Sequence, residues 1–372
     1  LKNPVAAASP TLHGLNHLRA LAITLVFYFH YFILSGGEPA WLPDVASFGW
    51  TGVDLFFVLS GFLIASQLFE QIHRGNGISF RLFFMKRAFR ILPAYLVTVA
   101  LYVYWPLFRE REALPPLWKL FTFTQNLGLN IKDNGTFSHA WSLCVEEHFY
   151  LLLPMVLILV YRTRFWAKAW ILLPALLVLG LLWRWYAYGS LYEPHVNGDI
   201  PWKYWYQHIY YPTYSRLDGL LAGVTIAACY VFRKQWWEQL AAKSGYALLL
   251  ALAVLTGAYF LCADQQSRPA SVWGFPLVAL GYGLLVMNAV SKDSFLSRHA
   301  SGLTNWVAGL SYSIYLTHKG IIHLTRLALQ DYELNANILL LICTATSLLG
   351  AYLLHRLVEQ PFLRWRDRLL KR

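Results

Sequence analysis

The sequence predicts an all-α integral membrane protein with about ten transmembrane helices and both termini in the cytoplasm. Three observations predict it. Of 372 residues, 57% are hydrophobic and only 13% charged, against the roughly 25% charged residues of a soluble domain, so the chain cannot cover a water-facing surface. Mean hydropathy is +0.42, and the apolar residues gather in runs of the about 17–25 residues that cross a bilayer. Aromatic residues make up 17%, with 16 Trp and 23 Tyr, as expected where rings sit at bilayer interfaces. A cytosolic fold, a disordered chain and a secreted soluble enzyme are excluded.

The ten runs lie near 15–35, 50–72, 90–108, 139–160, 166–186, 213–232, 245–263, 272–291, 303–325 and 335–357. The first lacks a small-residue cleavage site and carries Arg19 and His30, which predicts a retained helix rather than a signal peptide. The second carries Asp54, the fourth Glu146 and Glu147, and the sixth Arg216 and Asp218. With no internal repeat and no long or low-complexity linker, a single membrane domain over 1–372 is expected, its core about 12–365.

An N-terminus inside puts Lys2, Arg19, Arg74, Arg81, Lys86, Arg87, Arg90, Arg162, Arg164, Lys168, Arg233, Lys234, Lys243, Lys292, Arg298 and the six Lys and Arg from 356 to 372 on the cytoplasmic side. That is 21 of the 31 Lys and Arg residues, the bias that orients membrane helices. The net charge of +12 is therefore topological; its short clusters differ from the single basic face of a nucleic-acid binder, and no nucleic-acid partner is expected. Cys144, Cys229, Cys262 and Cys343 have no metal-ligand spacing and read as small buried hydrophobes. The stretch 188–212 mixes His195 and His208 with dense aromatics. An interfacial belt is favoured there over a stacking surface for sugar rings.

Ionisable residues inside a span are costly and mark function by default. Arg19 and His30 are eleven residues apart, three helical turns to within about 20°, so they share a face and stand about 16 Å apart along the axis. A phosphate-bearing donor held at Arg19 could react at His30; the structural alternative is a snorkelling Arg and a core His. Asp54, in a glycine-bearing segment, needs a cationic partner. Arg87 and Arg90, at i and i+3 on a helix start, can fork onto one phosphate or diphosphate, or serve orientation alone. Ser142 and Glu146 share a helix face, whereas Glu146 and Glu147 diverge by about 100°, so at most one faces a given site. A buried His–carboxylate pair makes imidazole a useful base.

Taken in order, Leu15–Ala22 with His30 downstream, Gly52–Ile64, Arg87-Ala88-Phe89-Arg90, Trp141–Glu147, Leu310–His318 and Val358-Glu359-Gln360-Pro361 resemble acyltransferase family 3 of membrane O-acyltransferases. The resemblance covers about residues 12–365. It implies an essential Arg–His pair with ten residues between, here Arg19 and His30. It also implies acyl-coenzyme A binding by Arg87 and Arg90, and an important carboxylate at Glu146. His148 stands where Gln is expected, and Thr317-His318-Lys319 replaces a more usual aromatic before the His. A stand-alone membrane unit is expected, without the esterase-like domain fused to it in several relatives.

The expected activity is transfer of an acyl group, acetyl first, from cytoplasmic acyl-coenzyme A to a sugar hydroxyl of an envelope or exported glycan, in a bacterial inner membrane. Arg19, Arg87 and Arg90 would hold the donor, and His30 would act as base or nucleophile. Asp54 or Glu146 would orient His30, while Trp141, Ser142, Arg216 and His318 would contact substrate. No metal is required. The rivals are a proton-coupled transporter using the same His, Glu, Asp and Arg set, and a scaffold for a polysaccharide synthase.

Overall fold

The computed structural model describes residues 13–75, 77–163, 168, 170–292 and 294–371. Of the residues used above for orientation, Lys2, Arg164 and Arg372 lie outside the described residues, as do residue 12 of the expected core and most of the start of the fifth run.

Each of the ten apolar runs contains a helix. They are α1 (His13–Ser35), α2 (Gly52–His73), α3 (Phe80–Tyr104), α4 (Trp141–Arg162), α5 (Leu172–Ala187), α6 (Asp218–Phe232), α7 (Ser244–Leu261), α8 (Phe275–Val290), α9 (Gly302–Ala328) and α10 (Ala336–Leu354). A charged helix, α11 (Gln360–Leu370), ends the described chain, and no strand occurs among the described residues. Among those residues, seven segments are long and apolar enough to cross a bilayer: His13–Ser35, Leu42–His73, Ser138–Arg162, Leu172–His195, Ser244–Leu261, Ala270–Val290 and Ala336–Leu370. The other three differ for physical reasons. Helix α6 is apolar but has 15 residues, while α3 and α9 are long enough but carry the arginines, hydroxyls, His318 and Lys319 of the site described below.

Helices α1, α2, α6, α8 and α9 form the centre of the bundle, with α4 against α2. Lipid gives no hydrophobic drive for helices to associate, so close backbone approach does much of that work. Helix α2 lies along α6 in this way: a Cβ at Gly61 would collide with the Leu220 carbonyl, and one at Gly223 with the Val58 carbonyl. Helices α5, α7 and α10 are peripheral, with Leu179, Leu249 and Leu341 turned outward and exposed. Such apolar bands are stable only against lipid or a partner.

The loop between α3 and α4 is folded rather than loose. Arg109 donates to the Tyr102 and Val103 carbonyls, and Arg111 donates to the Ile131 carbonyl. Asn126 donates to the Tyr211 carbonyl and the Thr213 hydroxyl, tying this loop to the aromatic stretch after α5. That stretch does not form the expected surface belt: Trp205, Tyr210 and Tyr211 are buried, because the two loops pack on each other and enclose a cavity.

The α2–α6 contact yields a testable expectation. Gly61→Leu should lower the thermal unfolding midpoint in detergent by several degrees, overpacking costing about 1–3 kcal/mol. Gly257→Leu, at a position facing open space, should leave it unchanged.

Candidate functional site

Helix α1 carries Arg19 and His30 on one face, and each opens into its own cavity. The first cavity, of about 180 Å³, takes Arg19 from α1, Ser60 from α2, Arg87 and Arg90 from α3, Glu146 and Tyr150 from α4, and Tyr315 from α9. Arg87 stacks its guanidinium 3.5 Å above the Tyr150 ring, which leaves its Nε buried without a hydrogen bond. Arg90 is held by Glu359, and that carboxylate also accepts from Ser313 Oγ and His355 Nδ1, both at 2.9 Å. Glu146 accepts from Ser60 Oγ at 2.7 Å. Three guanidinium groups against one lining carboxylate make this an anion-attracting site.

The second cavity, of about 270 Å³, surrounds His30. Helix α1 contributes His30 and Phe29, and the α3–α4 loop contributes Glu110, Arg111, Ser138 and His139. Helix α9 adds Tyr315 and Lys319, while Trp141, Trp202, Tyr206, Tyr210 and Tyr211 build an aromatic wall. His30 Nδ1 lies 3.0 Å from the Val26 carbonyl and 3.0 Å from His318 Nε2. The His139 ring centre is 5.9 Å from that of His30 and 5.1 Å from that of His318. Lys319 pairs with Glu110 at 2.8 Å. Burial pushes the Tyr206 phenol up to about 12, so it offers this cavity a neutral hydroxyl.

Tyr315 lines both cavities and forms the wall between them. Its hydroxyl donates to the His139 carbonyl and lies 2.7 Å from Ser142 Oγ. A phenol has one proton, so Ser142 must donate to it. Ser142 faces the arginine cavity and Trp141 the histidine cavity, so both residues expected to contact substrate stand at the junction.

The structure brings Arg19, Arg87 and Arg90 together around one cavity. It separates other expected groups. Asp54, expected to orient His30, instead receives Arg216 Nη2 on both oxygens at 2.8 and 2.9 Å. Arg216, expected at substrate, is buried with its guanidinium 4.2 Å from the Phe275 ring centre and 4.4 Å from that of Tyr210. Neither lines either of the two cavities. A carboxylate in a lipid-buried bundle needs a counter-charge, and the turn before α6 supplies it across the glycine contact. A second buried pair, Arg184 with Asp218 at 2.7 and 3.0 Å, lies beside it.

Glu146 also does not orient His30; it lies in the arginine cavity. His318, expected to touch substrate, is fully buried behind His30 and lines neither cavity, because its own helix binds its Nδ1. The residues that sequence reasoning missed are Tyr315, His139, Lys319 and Glu110. Lys319 carried a signal as a cation inside a span; Glu110, among the charges at 109–112, carried none.

Residues 12–356 match the family described as acyltransferase domain. The chain is 29% identical over 377 residues to the peptidoglycan O-acetyltransferase OatA of Listeria monocytogenes, covering 95% of this chain and 55% of that protein. It is 26% identical over 371 residues to the O-acetyltransferase OatA of Staphylococcus aureus, covering 94% and 57%. To the putative peptidoglycan O-acetyltransferase YrhL of Bacillus subtilis it is 28% identical over 335 residues, covering 84% and 49%. The chain thus spans about half the length of the curated relatives it matches. No solved structure matches it.

The Asp54–Arg216 pair should act as scaffold. Asp54→Ala strands a buried guanidinium and should cost about 3–5 kcal/mol of stability, whereas the apolar pair Asp54→Leu/Arg216→Met should recover most of that loss. Thermal unfolding of the three proteins in one detergent checks it.

Proposed function

The chain belongs to acyltransferase family 3, and from that premise we propose that it moves an acyl group from acyl-coenzyme A to a sugar hydroxyl of an envelope or exported glycan. Acetyl is the first group to test, given the O-acetyltransferase names of the relatives. One observation carries the reading: an arginine-lined cavity and a histidine cavity open at opposite ends of one face of α1 and meet at Tyr315.

With ten spans and both termini inside, the arginine cavity faces the cytoplasm and the histidine cavity the opposite side of a bacterial inner membrane. Arg19, Arg87 and Arg90 then hold the donor's phosphates where acyl-coenzyme A is made. The pantetheine arm runs along α1 past Ser142 and Tyr315 and brings the thioester to His30. The acceptor glycan, free or lipid-linked, enters the other cavity and lies on Trp202 and Tyr206, flat rings beside hydrogen-bonding groups.

His30 Nε2 takes the proton of the acceptor hydroxyl as its oxygen attacks the thioester carbon. The C–S bond breaks, and the thiolate recovers that proton from the imidazolium and leaves as coenzyme A. In the two-step form, Nε2 attacks the thioester carbon and the C–S bond breaks with loss of the coenzyme A thiolate; the acceptor oxygen then displaces Nε2 from the acyl group, and the hydroxyl proton passes to the thiolate. Arg111 puts cationic charge on the cavity wall, beside the Lys319–Glu110 pair, which suits the oxyanion that either route develops. Of the ionisable groups that a proton-coupled transporter would use, Asp54, Asp218, Arg184 and Arg216 are instead held in buried ion pairs.

The test uses purified protein in detergent with acyl-labelled acetyl-coenzyme A and longer acyl donors, following free coenzyme A and donor binding. His30→Ala should lower acyl release at least about 100-fold, the scale of general base catalysis, with donor affinity kept. Arg87→Ala/Arg90→Ala should weaken donor binding at least tenfold while thermal unfolding shows a folded protein. A wild type that neither binds nor cleaves any acyl-coenzyme A removes the donor from this reading.

A further inference from the structure

The hydrogen bonds behind His30 fix where its protons lie. His318 Nδ1 is 2.9 Å from the carbonyls of both Ile314 and Tyr315, one turn back on its own helix. A carbonyl oxygen only accepts, so His318 Nδ1 carries the proton and, in the neutral ring, Nε2 carries the lone pair. That lone pair points at His30 Nδ1, 3.0 Å away, which also faces the Val26 carbonyl at 3.0 Å. Two acceptors therefore meet His30 Nδ1, so that nitrogen holds its proton. His30 Nε2 is left unprotonated, and no described group hydrogen-bonds it.

We infer that His318 is a positioning residue: through its Nε2 it holds His30 in the Nδ1–H tautomer, so that a lone pair faces the cavity. The inference rests on the reading of His30 as base or nucleophile and names what prepares it. In this site a second imidazole fills the place usually given to a carboxylate. His318 can do this because its orientation is set independently of His30. Two carbonyls of α9 bind its far nitrogen, and the side chain is fully buried with Phe27 and Tyr315 beside it. A neutral partner also avoids placing a second buried charge beside the Lys319–Glu110 pair. When His30 gains a proton at Nε2, its Nδ1–H keeps both acceptors, so the imidazolium forms without rearrangement.

The test compares wild type, His318→Phe and His318→Gln as full-length protein in detergent. Phe removes the acceptor; the Gln side-chain carbonyl can replace it at similar reach. Acyl release at saturating acetyl-coenzyme A, donor affinity and the ¹⁵N spectrum of histidine-labelled protein are measured, with His30 assigned by loss of its signal in His30→Ala. Displaced tautomers in hydrolases cost about 10⁴-fold in rate. His318→Phe should lower the saturated rate at least about 100-fold with donor affinity within twofold, and His318→Gln should return to within about tenfold of wild type. The wild-type spectrum should show His30 Nε2 unprotonated and Nδ1 protonated.

A His318→Phe rate within threefold of wild type overturns the inference. So does His318→Gln as slow as His318→Phe with both proteins binding donor, or a wild-type spectrum with His30 Nε2 protonated. If His318→Phe does not fold, the wild-type spectrum decides alone. If wild type turns over no acyl-coenzyme A, the proposed function falls, and the spectrum still decides the tautomer.

Discussion

Lipid supplies neither hydrogen bonds nor counter-charges, so each ionisable group in the bundle must find its complement on another part of the chain. That requirement organises the molecule. Asp54 to Arg216 ties α2 to the start of α6, and Arg184 to Asp218 ties α5 to α6. Arg90 to Glu359 ties α3 to the turn before α11, and Lys319 to Glu110 ties α9 to the α3–α4 loop. His30 to His318 ties α1 to α9. Each contact joins segments far apart in sequence, so the polar groups cross-link a bundle whose apolar faces could pack in many registers.

The site lies where this pairing is left open. Arg19 and Arg87 have no ion-pair partner among the described residues, and both point into the same cavity with Glu146 as its lining carboxylate. Leaving cations uncompensated is costly inside a bundle and becomes favourable when an anion arrives. Cation–π stacking of Arg87 on Tyr150 lowers the cost in the meantime. For the proposed polyanionic donor, neutralising these cations would supply binding energy.

The sequence made legible whatever depends on helical period and run length. Each of the ten apolar runs contains a helix, and Arg87 and Arg90 line one cavity because their one-face spacing survives folding. It did not make legible which helix faces which. Asp54 meets a partner 162 residues away, and no local pattern distinguishes a carboxylate that will meet Arg216 from one that will meet His30. Glu146 was placed correctly on the Ser142 face of its helix, yet whether that face turns to His30 or to Arg87 is set by how α4 rolls against α2. The aromatic stretch after α5 looked like a membrane belt because its composition is the same; only the α3–α4 loop packed over it turns those rings inward.

The wall at Tyr315 has a further consequence. A bundle hollowed from both ends must keep its two cavities apart, because a pore through an energised membrane would dissipate the proton gradient. In the proposed orientation the hydroxyl of Tyr315, bound to Ser142 and to the His139 carbonyl, is the seal. In the proposed reaction an acyl chain would cross at this wall and fill the opening it makes, so the cargo would serve as its own stopper. Group transfer across the bilayer in that reaction would then need no alternating gates: an acyl group would pass from one compartment to the other along a path that α1 already lines.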